Sequence, residues 1–213
     1  MSGFQVARLD DIEVFDDGRC PWRPIRHHFG ITAFGVNSWT ARDAGDRIVN
    51  EHDEADEDEE LYVVLRGRAT FELDGERMDA PEGTLVFAQP GVRRTAFAEE
   101  AGTTILAVGA QPGKAYVAIG WELWAPAGHF YQAGEYEQAI EVAKPLVEAN
   151  PEYPALLYNL ACCESLAGRP ADAIDHLRQV IERTPQIRDL ARRDSDFDPI
   201  REDPGFAELV GEP

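Results

Sequence analysis

The sequence predicts a two-part chain, an all-β barrel over residues 1–115 followed by an all-α helical unit over 125–190. Three observations carry this. Short strand-like runs separated by turn residues fill the first half. Near residue 113 the apolar period changes from two to three or four. In the second half, several residues recur with a spacing of 34.

The barrel strands come in order. Thr32, Phe34, Val36 and Ser38 fall on one face of a first strand, and Ala33, Gly35, Asn37 and Trp39 on the other. Arg47–Asn50 follows, then an acidic run. In LYVVLRGRATFELDGERM the Asp74-Gly75 pair sits between two strand-like runs, which favours a two-residue hairpin turn with positive φ. GTLVFAQPG is a further strand, closed by Pro90-Gly91, and TAFAEE and TTILAVGA complete the series. Short strands with regular turn signals indicate a sandwich or barrel.

The segment 116–124 is read as a connector, with AYVAI still strand-like. Beyond it Phe130, Ala133, Tyr136, Ile140, Ala143 and Leu146 recur at helical steps. Gly134, Ala139-Ile140 and Pro151 return as Gly168, Ala173-Ile174 and Pro185, each 34 residues later. The glycines permit a turn between paired helices, the alanines a close approach, and the prolines end the second helix of each pair. This pattern resembles the tetratricopeptide repeat, at about two repeats over 125–190. Pro126 and Gly128 are expected to interrupt the first helix. Two repeats are fewer than the roughly three needed for independent stability. The barrel, the tail or a second subunit is therefore expected to cap the stack. The acidic tail, 191–213, spaces Phe197, Ile200, Phe206 and Leu209 as anchors for a short capping helix. A disordered tail is the alternative.

Composition narrows the function. The 213 residues carry a formal net charge of −20. Such a surface repels phosphate backbones and anionic lipid, so nucleic acid and membrane are not expected as partners. No apolar run reaches the roughly 18–20 residues of a membrane helix. The N-terminus lacks the pattern of a signal peptide, and the expectation is a cytoplasmic chain. Three cysteines, Cys20, Cys162 and Cys163, fit a reducing compartment, with the adjacent pair read as small core residues.

The stretch from His52 to Arg94 resembles the cupin family of jelly-roll barrels. Glu60 is followed seven residues later by Gly67, and Gly83-TLVFAQ-Pro90-Gly91 matches a second motif. The resemblance covers about half of the chain. It implies a β-barrel, a homodimer formed through barrel strands, and a metal held by an H-x-H pair, a glutamate and a third histidine. His52 stands at the first histidine position, but Glu54 stands at the second and Arg94 at the third. The interval from Glu54 to Glu60 is also one or two residues longer than in the family. The order of cupin barrel, tetratricopeptide pair and D-x-D-F tail resembles a group of bacterial proteins without a settled activity.

Three readings of this constellation stand open. Arg94 binds a carboxylate or phosphate of a small ligand, beside Tyr62, with His52 or Glu60 as acid or base. Alternatively Arg94 turns away, and His52, Glu54 and Glu60 hold Zn²⁺, Mn²⁺ or Fe²⁺ through nitrogen and oxygen ligands. In the third, the group is a buried ion-pair network. An inward Arg94 opposes a divalent cation and pairs readily with Glu54 or Glu60.

Other positions carry less. The run EHDEADEDEE has no calcium-loop spacing and is expected to form a solvated loop at the barrel mouth. His27-His28 are adjacent, so on a strand they would point to opposite faces, and a surface or turn role is expected for them. His129 and His176 read as helix-surface residues, and Trp121 and Trp124 as packing at the junction. No nucleophile elbow, phosphate loop or paired CxxC motif is present. The expected function is a small-molecule-binding barrel, with an anionic ligand and a helical unit that anchors or transmits. The alternatives are a metal-dependent enzyme and a peptide-binding module built on the repeats.

Overall fold

The computed structural model describes residues 3–16, 18–53, 58–118 and 120–211. The chain divides into two compact units, Met1–Ala118 and Ile119–Pro213.

The first unit is two antiparallel sheets. Its strands are β1 (Trp22–Arg23), β2 (Gly35–Thr40), β3 (Arg47–His52), β4 (Glu59–Arg66), β5 (Arg68–Leu73), β6 (Glu76–Pro81), β7 (Leu85–Ala88), β8 (Arg94–Ala98) and β9 (Thr104–Ala110). One sheet has the order β1-β2-β9-β4-β7 and the other β3-β8-β5-β6. Consecutive strands such as β3 and β4 therefore fall in different sheets, which wraps the chain around a single core. Tyr62, Val64, Val86 and Ile105 from the first sheet meet Ala69, Phe71, Ala80 and Ala96 from the second, all buried. These are alternate residues of their strands, as the period-2 pleat requires.

Two glycines show why the turns need them. Asp74 and Gly75 both take positive φ, 51° and 88°, and join the paired ends Leu73 and Glu76 in a two-residue hairpin. Gly67 links β4 to β5 at φ 72°, where a Cβ would lie 2.7 Å from the hydroxyl of Thr103. His27-His28 do not lie on a strand. They belong to the short helix α1 (Ile25–Phe29), ended by Gly30 in the left-handed region. The glycine N–H meets the carbonyls of Arg26 and His27, closing a turn that a strand reading cannot anticipate.

The second unit repeats its helices with the period seen in the sequence. Helix α2 (Gly120–Gln132) is matched 34 residues on by α4 (Pro154–Leu166), and α3 (Tyr136–Ala149) by α5 (Pro170–Arg183). The turns match too. Gly134 at φ 75° and Gly168 at φ 74° follow the first helix of each pair. The next N–H bonds back to Phe130 O in one repeat and to Glu164 O in the other. Ala139 and Ala173 are fully buried where the helices approach.

Two expectations fail in this region. Among residues 115–118 no strand forms, and Ile119 lies outside the described residues. Helix α2 is also not interrupted, because it runs through Pro126. A proline inside a helix costs about 3 kcal/mol. Here Ala125 and Ala127 are buried on either side, and the Trp124 ring lies against Gly128, where a Cβ would be only 2.9 Å away. Packing outweighs the lost hydrogen bond.

The tail folds back onto the repeats. Helix α6 (Ile187–Arg193), a 3-10 turn (Ser195–Ile200) and helix α7 (Pro204–Val210) bury Phe197, Ile200, Phe206 and Val210 in the helical core. Asp194 and Asp203 cap the last two elements through their side chains.

Candidate functional site in the barrel

Four of the five candidate residues meet between the two sheets. His52 ends β3 and Arg94 opens β8, directly opposite in register. Glu60 and Tyr62 share the inner face of β4. Glu54 lies outside the described residues.

A single oxygen, Glu60 Oε2, gathers the group. Arg94 donates to it from Nε at 2.8 Å and from Nη2 at 2.6 Å. The Tyr62 hydroxyl donates to it, and His52 Nε2 lies 3.1 Å away. His52 Nδ1 donates to the Asn50 carbonyl at 2.6 Å, which fixes the ring. Arg94 is further held by Nη1, which donates to the carbonyls of Asp53 at 2.9 Å and Val92 at 2.8 Å. The Tyr62 ring is tilted against Phe71 with centroids 5.6 Å apart.

Exposure separates the roles. Arg94 is 0% exposed and Tyr62 2%. The side chains of Glu60 and His52 are 17% and 30% exposed. Arg94 thus supports Glu60 from behind, and Glu60 and His52 present the open edge. Among the described residues no donor reaches the second oxygen, Glu60 Oε1. The residue paired with Glu60 on β9 is Gly109, whose Cβ would sit 3.5 Å from that oxygen and 3.2 Å from Glu60 Cγ. The glycine leaves that space open.

The electrostatics follow. Burial pushes the Glu60 carboxyl up, but the donors from His52, Tyr62 and Arg94 outweigh it and hold it below the usual value. His52 is raised by its bond to Glu60, against the opposing effect of burial. Burial beside the carboxylate pushes the Tyr62 hydroxyl well up, so it stays a donor. The group therefore carries one negative charge on Glu60, one fixed positive charge on Arg94, and a His52 biased towards its cationic form.

The described residues do not fit a divalent cation. Glu60 Oε2 already accepts from three side chains, and the fixed guanidinium of Arg94, 2.6 Å from it, opposes a divalent cation at either oxygen of this carboxylate. The expectation of an ion held by His52, Glu54 and Glu60 required Arg94 to turn away, and it turns in, because Glu60 and two main-chain carbonyls hold it. The residues that sequence reasoning missed are main-chain and small. The carbonyls of Asp53 and Val92 have no side-chain signature, and Gly109 acquires its meaning only from strand register.

The tetratricopeptide repeat family matches residues 130–192. No curated protein matches the chain. Similar solved structures include a cupin protein from Bacteroides fragilis, 18% identical, covering 56% of this chain and 93% of that one, TM-score 0.43. An RmlC-like cupin protein from Desulfovibrio desulfuricans is 25% identical over 50% and 96%, TM-score 0.42. A Cupin 2 conserved barrel domain protein from Salinispora arenicola is 19% identical over 52% and 92%, TM-score 0.44. By its strand order and its 34-residue helix period, the chain is a unit of two antiparallel β-sheets followed by a helical unit that matches the tetratricopeptide repeat over residues 130–192.

Proposed function

We propose that the barrel binds a small, hydroxyl-bearing anionic molecule at the open edge formed by Glu60 and His52. The observation that carries this is the asymmetry of the Glu60 carboxylate. Oε2 is saturated by His52, Tyr62 and Arg94, while Oε1 is left facing the space beside Gly109. An ionised oxygen held in place with spare lone pairs accepts a hydrogen bond from a ligand hydroxyl. His52 beside it, biased towards its cationic form, favours an anionic group on the same molecule. Arg94, expected at the ligand itself, acts in this reading through Glu60. The His52–Glu60 contact also gives the site a proton to exchange, which is the capacity a general acid or base requires.

The test is isothermal titration with a panel of small hydroxy acids and sugar acids, on the native chain and on Glu60→Gln. Saturable binding that weakens at least tenfold in the variant supports the reading. A folded chain that binds no member of the panel at millimolar concentration overturns it.

A second copy of the chain is the partner we infer for the barrel. Opposite the core, Leu61 pairs with Phe87 and Val108, and Val63 with Leu85 and Leu106. These are the outward positions of three adjacent strands, and none is charged in a chain of net charge −20. Leu85 and Phe87 are 63% and 55% exposed. Two equally acidic copies meet with least repulsion on an uncharged apolar face.

A further inference from the structure

The helical unit contains a cavity of about 330 Å³, distant in sequence from every barrel residue discussed above. Trp124 and Tyr131 of α2 and Tyr158 of α4 form aromatic walls, and Asp194 and Asp196, just after α6, close it. The volume lies within the range of small-molecule pockets.

The walls are fixed in position. The Trp124 ring lies against Gly128, where any side chain would collide with it. Tyr131 donates its hydroxyl proton to Asp196 at 2.8 Å, and Tyr158 donates to Asp194 at 2.7 Å. Asp194 also accepts the N–H of Asp196 at 3.1 Å. Both phenolic protons are thus committed, so the rings offer faces and lone pairs rather than donors.

The charge is one-sided. Among the described residues no lysine, arginine or histidine forms an ion pair with Asp194 or Asp196. Arg201 comes near, but it donates to the main-chain oxygen of Asp194 and pairs with the carboxylate of Asp198. The cavity therefore combines aromatic faces, two carboxylates and a surplus of acceptors. Aromatic faces attract cations, and the attraction grows when the cation is desolvated.

Cys162 bears on which cation. Its sulfur and the two carboxylates offer atoms within 4.8 Å of one another, a spacing open to a metal ion. Burial, reinforced by the two aspartates, pushes the thiol well up, which keeps it protonated. A protonated thiol is a poor metal ligand, and a bare ion would leave most of an aromatic-walled cavity unused. We propose that this cavity binds an organic cation of the guanidinium or alkylammonium class, seated between the aromatic faces and against the carboxylates of Asp194 and Asp196.

The experiment is isothermal titration of the full chain with L-arginine amide, with a tri-arginine peptide, and with Zn²⁺ and Mn²⁺. The expected result is saturable binding of arginine amide at millimolar affinity or better, weakened at least tenfold by Asp196→Asn and by Trp124→Leu. Tyr131→Phe keeps the ring and the carboxylate, and its affinity should stay within threefold. Helical circular dichroism confirms that each variant is folded. Equal affinity for amide and peptide points to a free small molecule, and peptide binding tighter by tenfold or more to a basic side chain of a protein partner. Three results overturn the proposal. The folded native chain shows no saturable binding, both weakening variants bind as the native chain does, or only the divalent ions bind and Cys162→Ser abolishes that binding.

Discussion

His52 and Arg94 stand opposite each other across the β3–β8 pairing, and both reach the same oxygen of Glu60 on the facing sheet. Arg94 is fully buried, so the strength of this arrangement rests on mutual compensation. Removing one member of a buried ion pair leaves the other charge uncompensated and costs about 3–5 kcal/mol. Arg94→Met should lower the stability of the barrel by that order in urea unfolding. Combining it with Glu60→Gln should recover part of the loss, because the stranded carboxylate is gone. A single variant as stable as the native chain would show that the pair contributes nothing.

His52 gives a pH signature of the same contact. Its folded pKa is raised chiefly by Glu60. A raised pKa means that the protonated form is the stabilised one. The stability it contributes is therefore fully present below the unfolded value, near 6.5, and is lost as pH rises through the folded value. Glu60 has the opposite sign, since its carboxyl is held low, and its contribution is lost as pH falls through its folded value. NMR titration of the His52 ring should give a midpoint above the ordinary histidine value, and Glu60→Gln should move it down. An unshifted midpoint in the native chain would rule out the contact in solution.

Gly109 separates ligand binding from stability. Its φ is not positive, so alanine fits the backbone, but the new Cβ would lie 3.5 Å from Glu60 Oε1. Gly109→Ala should reduce binding of the barrel ligand at least tenfold while changing the unfolding free energy by no more than about 1 kcal/mol. Undiminished binding would place the ligand elsewhere in the barrel.

How much of this was legible follows from what each feature depends on. The 34-residue spacing of Gly134 and Gly168 fixes the helix pairs because a positive-φ position admits few residues besides glycine. The hairpin at Asp74-Gly75 was legible for the same local reason. Glu60, His52 and Arg94 were found from motif positions, and strand alternation put Tyr62 on the same face as Glu60. The direction of Arg94 was not legible, because main-chain carbonyls of Asp53 and Val92 decide it. The continuity of α2 through Pro126 was hidden for a related reason. Propensity argues for a break, and the packing of Ala127 and Trp124 that overrides it is tertiary. The cavity beside Asp194 and Asp196 was visible only as an acidic tail motif, since its aromatic walls come from residues 30 and more positions away.

The outer face of the barrel yields a solution prediction. Sedimentation or light scattering should give a dimer for the native chain. Phe87→Asp places a charge on the edge strand of the uncharged strip, where a second copy would have to desolvate it, and should give a monomer with an intact fold. A native chain that is already monomeric at micromolar concentration would remove the inference.

The last prediction concerns the helical unit. Glu164 is fully buried on α4, and its Oε2 lies 2.6 Å from Nδ1 of His176 on α5. The other oxygen, Oε1, has no hydrogen-bond partner. A buried carboxylate with one satisfied oxygen depends on its single partner, and His176 is raised by that bond. The sign is that of His52. The stabilisation is present below the unfolded histidine value and fades as pH rises through the folded one. His176→Ala should strand Glu164 and destabilise the helical unit by about 3 kcal/mol at pH 6, with a smaller difference from the native chain at pH 9. Replacing both residues, as Glu164→Leu with His176→Leu, removes the buried charge altogether and should restore most of the melting temperature. A His176→Ala variant as stable as the native chain at pH 6 would show that the His176–Glu164 contact contributes nothing to the stability of the helical unit.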